Sequence, residues 1–149
     1  MLKINTEIDK RITAMDQRIY EIRIYTIKHG KLPDGYNTAD LFNLKQSHEN
    51  LTAQMFGALD FPNASDPIWA RCFAYWGLPY LAKYYAEKAV NHFTTAGIAE
   101  LEADALDQSA IHLERRRSWS SHFVSNRDIQ ANRQQAARIR ETLADNFEI

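Results

Sequence analysis

Apolar residues recur along this chain at spacings of three and four, and nowhere do apolar and polar residues alternate strictly between hairpin turn residues. Ile8, Ile12, Met15, Ile19 and Ile22 fall on one helical face, with Asn5 and Thr6 as a cap and Gly30 as a stop. This predicts a first helix over about 6–29. A second stripe of Tyr20, Ile24 and Ile27 opens on its later half, which is expected to pack between two neighbours.

The loop "GKLPDGYN" follows, and Asn37 or Thr38 then caps a second helix carrying Leu41, Leu44, Leu51, Met55 and Leu59. "DFPNAS" ends it. Ser65, Asp66 and Pro67 place a capping hydroxyl, an acid and a proline at the start of a short third helix with Trp69, Phe73 and Trp76. Gly77 to Pro79 breaks the run. A fourth helix is predicted to about Thr95, with Leu81, Ala82, Tyr85, Ala86, Ala89, Phe93 and Ala96 on one side, its small residues permitting close packing. A fifth runs from about Ile98 past Leu101, Ala105 and Leu113. A sixth runs from about Asn126 past Ile129, Ala136, Ile139 and Leu143 to Phe147. The expected fold is all-α, a compact single-domain bundle of five or six helices spanning residues 1–149.

Composition agrees with a folded chain. At 149 residues it can bury roughly 70% of its unfolded surface, and its apolar and aromatic content excludes a disordered polymer. The sole cysteine, Cys72, forbids an intrachain disulfide and points to a reducing compartment, or at least to a fold that needs no covalent staples. "MLKINTEIDK" bears charges where a signal peptide needs its apolar run, and the longest uncharged apolar stretch, "CFAYWGLPYLA", is broken by Gly77 and Pro79. A cytoplasmic protein with no membrane association is expected.

The net charge of −1 argues against a generic polyanion binder, yet it conceals two blocks. Glu100, Glu102, Asp104, Asp107 and Glu114 stand in a stretch without Lys or Arg, and seven arginines against the single acid Asp128 occupy residues 115–140. Arg115, Arg116, Arg117, Arg127 and Arg138 are therefore candidate contacts to a DNA or RNA backbone, with Trp119 or Phe123 available for stacking. Acids early and "RRR" late in one helix also complement its dipole with no ligand at all. Arg127 and Arg138 share the outer face of the sixth helix with Gln130 and Gln134, whereas Arg133 and Arg140 flank its apolar stripe. Arg116 projects onto the apolar stripe of the fifth helix, so either that helix ends near Arg115 or Arg116 has a buried partner.

His48, His92 and His112 each project onto the apolar stripe of a different helix, but no His-Glu-x-x-His, Glu-x-x-His or cysteine cluster accompanies them. Neither a phosphate-binding glycine loop nor a nucleophile elbow is present. No cofactor, metal or catalytic role is expected. Tyr80 and Tyr84, with Glu87 and Asn91, lie on the outward face of the fourth helix, where tyrosine suits an interaction surface, and Ile8, Ile12 and Met15 offer a seam for a homodimer through the first helix. These features favour a non-catalytic helical accessory, adaptor or inhibitor protein that binds another protein. The alternative is a nucleic-acid-associated subunit using residues 115–140.

Overall fold

The structure, a computed structural model, describes residues 2–57, 64–89, 92–119 and 126–146, with the side chains of residues 2–6, 56 and 117–119 outside that description. Six helices make it up: α1 (Leu2–His29), α2 (Thr38–Gly57), α3 (Asp66–Tyr75), α4 (Pro79–Lys88), α5 (Thr95–Trp119) and α6 (Asn126–Asn146). The fold is all-α, with no strand among the described residues. The helices group into two compact units, Met1–Ala64 with Ala144–Ile149, and Ser65–Leu143.

In the first unit α1 and α2 form a helical hairpin. Gly30, in the left-handed region, donates its N–H to the Thr26 carbonyl at 2.8 Å and closes α1. Asn37 and Asp40 cap α2 reciprocally, each side-chain oxygen accepting the other residue's N–H at 2.9 Å. The Arg18 guanidinium donates to the Tyr36 hydroxyl at 3.1 Å and clips the loop to α1. Further along α2, His48 meets Asp16 at 2.5 Å. The stripe of α1 is buried at Ile12, Ile19 and Ile22, and half-buried at Ile8 and Met15. Tyr20 and Ile24 of the second stripe are buried, but Ile27 is exposed. On α2 the buried side of the expected stripe is confined to Leu51 and Met55; Leu41 and Leu44 are half-buried, and Leu59 lies outside the described residues. α1 starts at Leu2, ahead of the expected cap at Asn5 and Thr6.

The second unit is built on α5. Its core joins Ala70 and Ala74 of α3, Ala82 and Ala86 of α4, and Leu101 and Ala105 of α5, with Phe73, Tyr85, Phe93 and Ile98 packed around them. Four alanines facing one another on α3 and α4 let two short helices lie close together, where larger side chains would hold them apart. The turn between them is compact. Leu78 N–H donates to the Phe73 carbonyl at 2.9 Å and Gly77 N–H to the Ala74 carbonyl at 3.1 Å, which satisfies the last carbonyls of α3, and Pro79 then opens α4.

Gly77 does more than turn the chain. Its φ is +76°, and a Cβ there would stand 2.8 Å from Ser109 N and 2.9 Å from Ser109 Cα on α5. The corner rests directly on the backbone of α5. Beside it His112 on α5 reaches the Tyr75 carbonyl at 3.2 Å.

The fourth helix ends at Lys88, short of the expected Thr95, because Thr94 instead caps α5: its hydroxyl accepts the Gly97 N–H at 2.9 Å and its carbonyl accepts that of Ile98 at 2.9 Å. Phe93 thus reaches the core from the connection. α5 continues through Arg116 to Trp119, yet Arg116 is exposed and has no need of a buried partner. The ten-residue helices α3 and α4 are too short to cover the C-terminal turns of the 25-residue α5, so its apolar stripe runs out from under them.

Replacing Gly77 with Ala combines a left-handed backbone with a clash against main-chain atoms that cannot yield, and should cost about 3 kcal/mol in urea unfolding. Gly30→Ala tests strain alone, since nothing lies within 4 Å of a Cβ there, and should cost about 1 kcal/mol. Equal losses at the two sites would mean that the corner does not press on α5.

Candidate functional site

The corner fixes a set of exposed apolar side chains. Tyr75 and Trp76 close α3, Leu78 sits in the turn, and Tyr80 and Tyr84 stand one turn apart on α4. Tyr80 is 81% exposed, Tyr84 50% and Trp76 40%. Beneath them the rings form a continuous series. Trp76 meets Phe73 edge to face with centroids 5.7 Å apart, Phe73 stacks on Tyr85 at 5.3 Å, and Tyr84 stands edge-on to Tyr85 at 5.2 Å. Trp69 stacks on Phe73 at 5.8 Å. Each such pair contributes roughly 0.5–1.5 kcal/mol beyond its buried area, so Trp76 and Tyr84, the exposed rings that join this series, stand on a stiff base. Lys83 and Lys88 flank the tyrosines, held loosely by Glu102 at 3.7 Å and Asp66 at 4.0 Å, and Lys88 also lies 5.7 Å from the centre of the Tyr85 ring. The outward position expected for Tyr80, Tyr84 and Glu87 is the one they hold; Asn91 lies outside the described residues.

The arginine-rich segment divides in two. Arg140 is only 13% exposed and faces three acids one helical turn apart on α5: it donates from Nη1 to Asp107 at 2.6 Å, from Nη2 to Asp104 at 2.8 Å and from Nε to Glu100 at 3.4 Å. Arg133 pairs with Glu114 at 2.5 Å, and Asn132 donates to the Ser109 hydroxyl at 3.1 Å. Between these contacts Leu106 and Ala103 pack on Ala136 and Ile139. α6 is thus held to α5 by a ladder of ion pairs with a narrow apolar seam. All five acids of the acidic block pair across helices, since Glu102 takes Lys83. None of them lies in the first turn of α5, so interhelical pairing, rather than the helix dipole, accounts for them.

The candidate backbone contacts Arg115, Arg116, Arg127 and Arg138 are exposed on α5 and α6. The side chain of Arg117 and the rings of Trp119 and Phe123 lie outside the described residues. Of the helix 1 residues, Ile12 is 1% exposed and already covered within the chain, while Ile8 and Met15 are half-buried.

The three histidines each have separate surroundings: His48 meets Asp16, His112 reaches the Tyr75 carbonyl, and His92 is exposed with its ring 4.8 Å from that of Phe93. Among the described residues no group of three His, Cys, Asp or Glu is placed to hold a metal ion. Cys72 is fully buried, and burial pushes its thiol up to about 12. At neutral pH it is a thiol rather than a thiolate, and hence a poor nucleophile.

Sequence reasoning did not identify the Arg140 cluster. Its signal was present in the spacing of Glu100, Asp104 and Asp107, which share one face of a helix, and in the place of Arg140 beside the apolar stripe of α6. Arg140→Ala should leave three carboxylates crowded around a vacated site and lower stability by about 3 kcal/mol in urea unfolding. Arg138→Ala should change it by less than about 0.5 kcal/mol. Similar values for the two would remove the clamp from any account of how α6 is held. Comparison with known proteins finds no matching family model, no similar curated protein and no similar solved structure.

Proposed function

We propose that this protein acts by binding another protein, as a non-catalytic accessory or adaptor, through the aromatic face formed by Tyr75, Trp76, Leu78, Tyr80 and Tyr84. The observation that carries the reading is the exposure of these five large side chains together on a corner fixed to α5 by the Gly77 contact. Tyrosine and tryptophan supply much of the binding energy of protein interfaces because they offer large area with few torsions to freeze. A surface that orders its rings in advance loses less entropy on binding.

A second reading, binding of a nucleic-acid backbone, draws on the exposure of Arg115, Arg116, Arg127 and Arg138. It has fewer charges at its disposal than the composition suggests, because Arg133 and Arg140 are engaged with acids of α5.

Photo-crosslinking separates the two. A photoreactive phenylalanine analogue in place of Tyr80 should give a discrete adduct with another protein in cells that make this chain, and the same analogue in place of Arg138 should not. Tyr84→Ala should weaken that association roughly tenfold, as loss of a central ring does in other interfaces. Adducts from position 138 to DNA or RNA, with none from position 80, would replace the first reading by the second.

A further inference from the structure

The exposed face of α4 is complementary to itself. Tyr80, Tyr84 and Glu87 follow one another at spacings of four and three along its outer stripe, with Lys83 on one flank and Lys88 on the other. Lys83 and Glu87 stand one turn apart, about 6 Å along the axis. If a second copy of α4 lies antiparallel across a two-fold axis at the level of residue 85, position 83 of one copy comes opposite position 87 of the other, twice over. Each Lys83 then faces Glu87 of the second copy, and the Tyr84 rings meet near the axis. In the same register Lys88 comes within a turn of the Tyr80 ring of the second copy, the geometry of a cation–π contact. A parallel arrangement places like residues side by side and gains none of this.

The area suits a weak dimer. Aromatic side chains carry roughly 150–250 Å² each, so Tyr80 and Tyr84, 81% and 50% exposed, leave on the order of 300 Å² open on α4. With Lys83, Glu87 and Lys88 beside them the patch stays below the roughly 800 Å² per partner of a standard interface, in the range of weak, transient contacts. We propose that the chain forms a two-fold dimer by antiparallel pairing of α4 with α4 of a second copy. An isologous contact of this kind uses the same patch on both chains. The proposal rests on the reading of this face as a binding surface, but names a second copy as what covers it.

Charge exchange tests the register. In sedimentation velocity from about 1 to about 200 µM the wild-type chain should pass from monomer to dimer. Lys83→Glu alone places acid opposite acid at both ends of the pairing, and Glu87→Lys alone places base opposite base; each should weaken the dimer roughly tenfold or more. An equimolar mixture of the two single variants restores both pairs and should dimerise like the wild type, as should the double variant. Recovery on mixing also demonstrates that both variants are folded. A wild-type chain that stays monomeric throughout, or single variants that dimerise undiminished, would overturn the proposal. A monomer that still crosslinks to a different protein from position 80 removes the dimer and leaves the binding face standing.

Discussion

The second unit depends on one close approach, that of the Gly77 backbone to the backbone of α5 at Ser109. Two helices as short as α3 and α4 have little stability of their own, since isolated helices of this length do not persist in water. They persist here because the turn joining them satisfies its own carbonyls, accepts a hydrogen bond from His112, and fits against α5 where no side chain stands between. Once the corner is seated, the alanine faces of α3 and α4 close on Leu101 and Ala105. Phe73, Tyr85 and Phe93 pack at the edge of this core, and Tyr80 and Tyr84, on the opposite side of α4 from Ala82 and Ala86, are left on the outside.

The two charged blocks play a part different from the one their signs suggest. A basic stretch beside an acidic one looks like a ligand surface next to a solvated helix, yet much of the charge is used within the chain. Arg140 takes three carboxylates and Arg133 a fourth. Ion pairs of this kind add little net stability when both partners could instead be hydrated, but they fix register firmly, because a displaced helix leaves a half-buried charge without its partner. α6 carries Ala136 and Ile139 toward Ala103 and Leu106 of α5, and the ion pairs beside this seam add to the register that packing gives. Arg116, Arg127 and Arg138 stand outside this pairing, exposed on α5 and α6.

Much of this was readable from local chemistry. The helix start at Asn37 follows from its cap, that at Ser65 from Pro67 in the first turn rather than from the Ser65 hydroxyl, which makes no capping bond, and the break at Gly77 to Pro79 and the outward position of Tyr80 and Tyr84 from proline and periodicity, all of which depend on near neighbours in the chain. The end of α4 was misplaced because the apolar period continues through Phe93 and Ala96, while the hydroxyl of Thr94 starts the next helix there. Periodicity cannot tell one long helix from two that share a face. Arg116 looked buried because a helical projection assumes that the core extends as far as the helix does. The seating of Gly77 on Ser109 was out of reach for a different reason: a glycine before a proline announces a turn, but which backbone the turn touches is decided by residues more than thirty positions away.

Native-state hydrogen exchange tests most directly whether the aromatic face stands on a rigid corner. The amides of Gly77 and Leu78, bonded back to α3, and of Ala82, bonded to Leu78 in the first turn of α4, should open with the same free energy as the α5 amides near Leu106 and Ser109, agreeing within about 0.5 kcal/mol, as members of one cooperative unit do. Exchange of the turn and α4 through a separate, lower-energy opening while α5 stays protected would contradict the account.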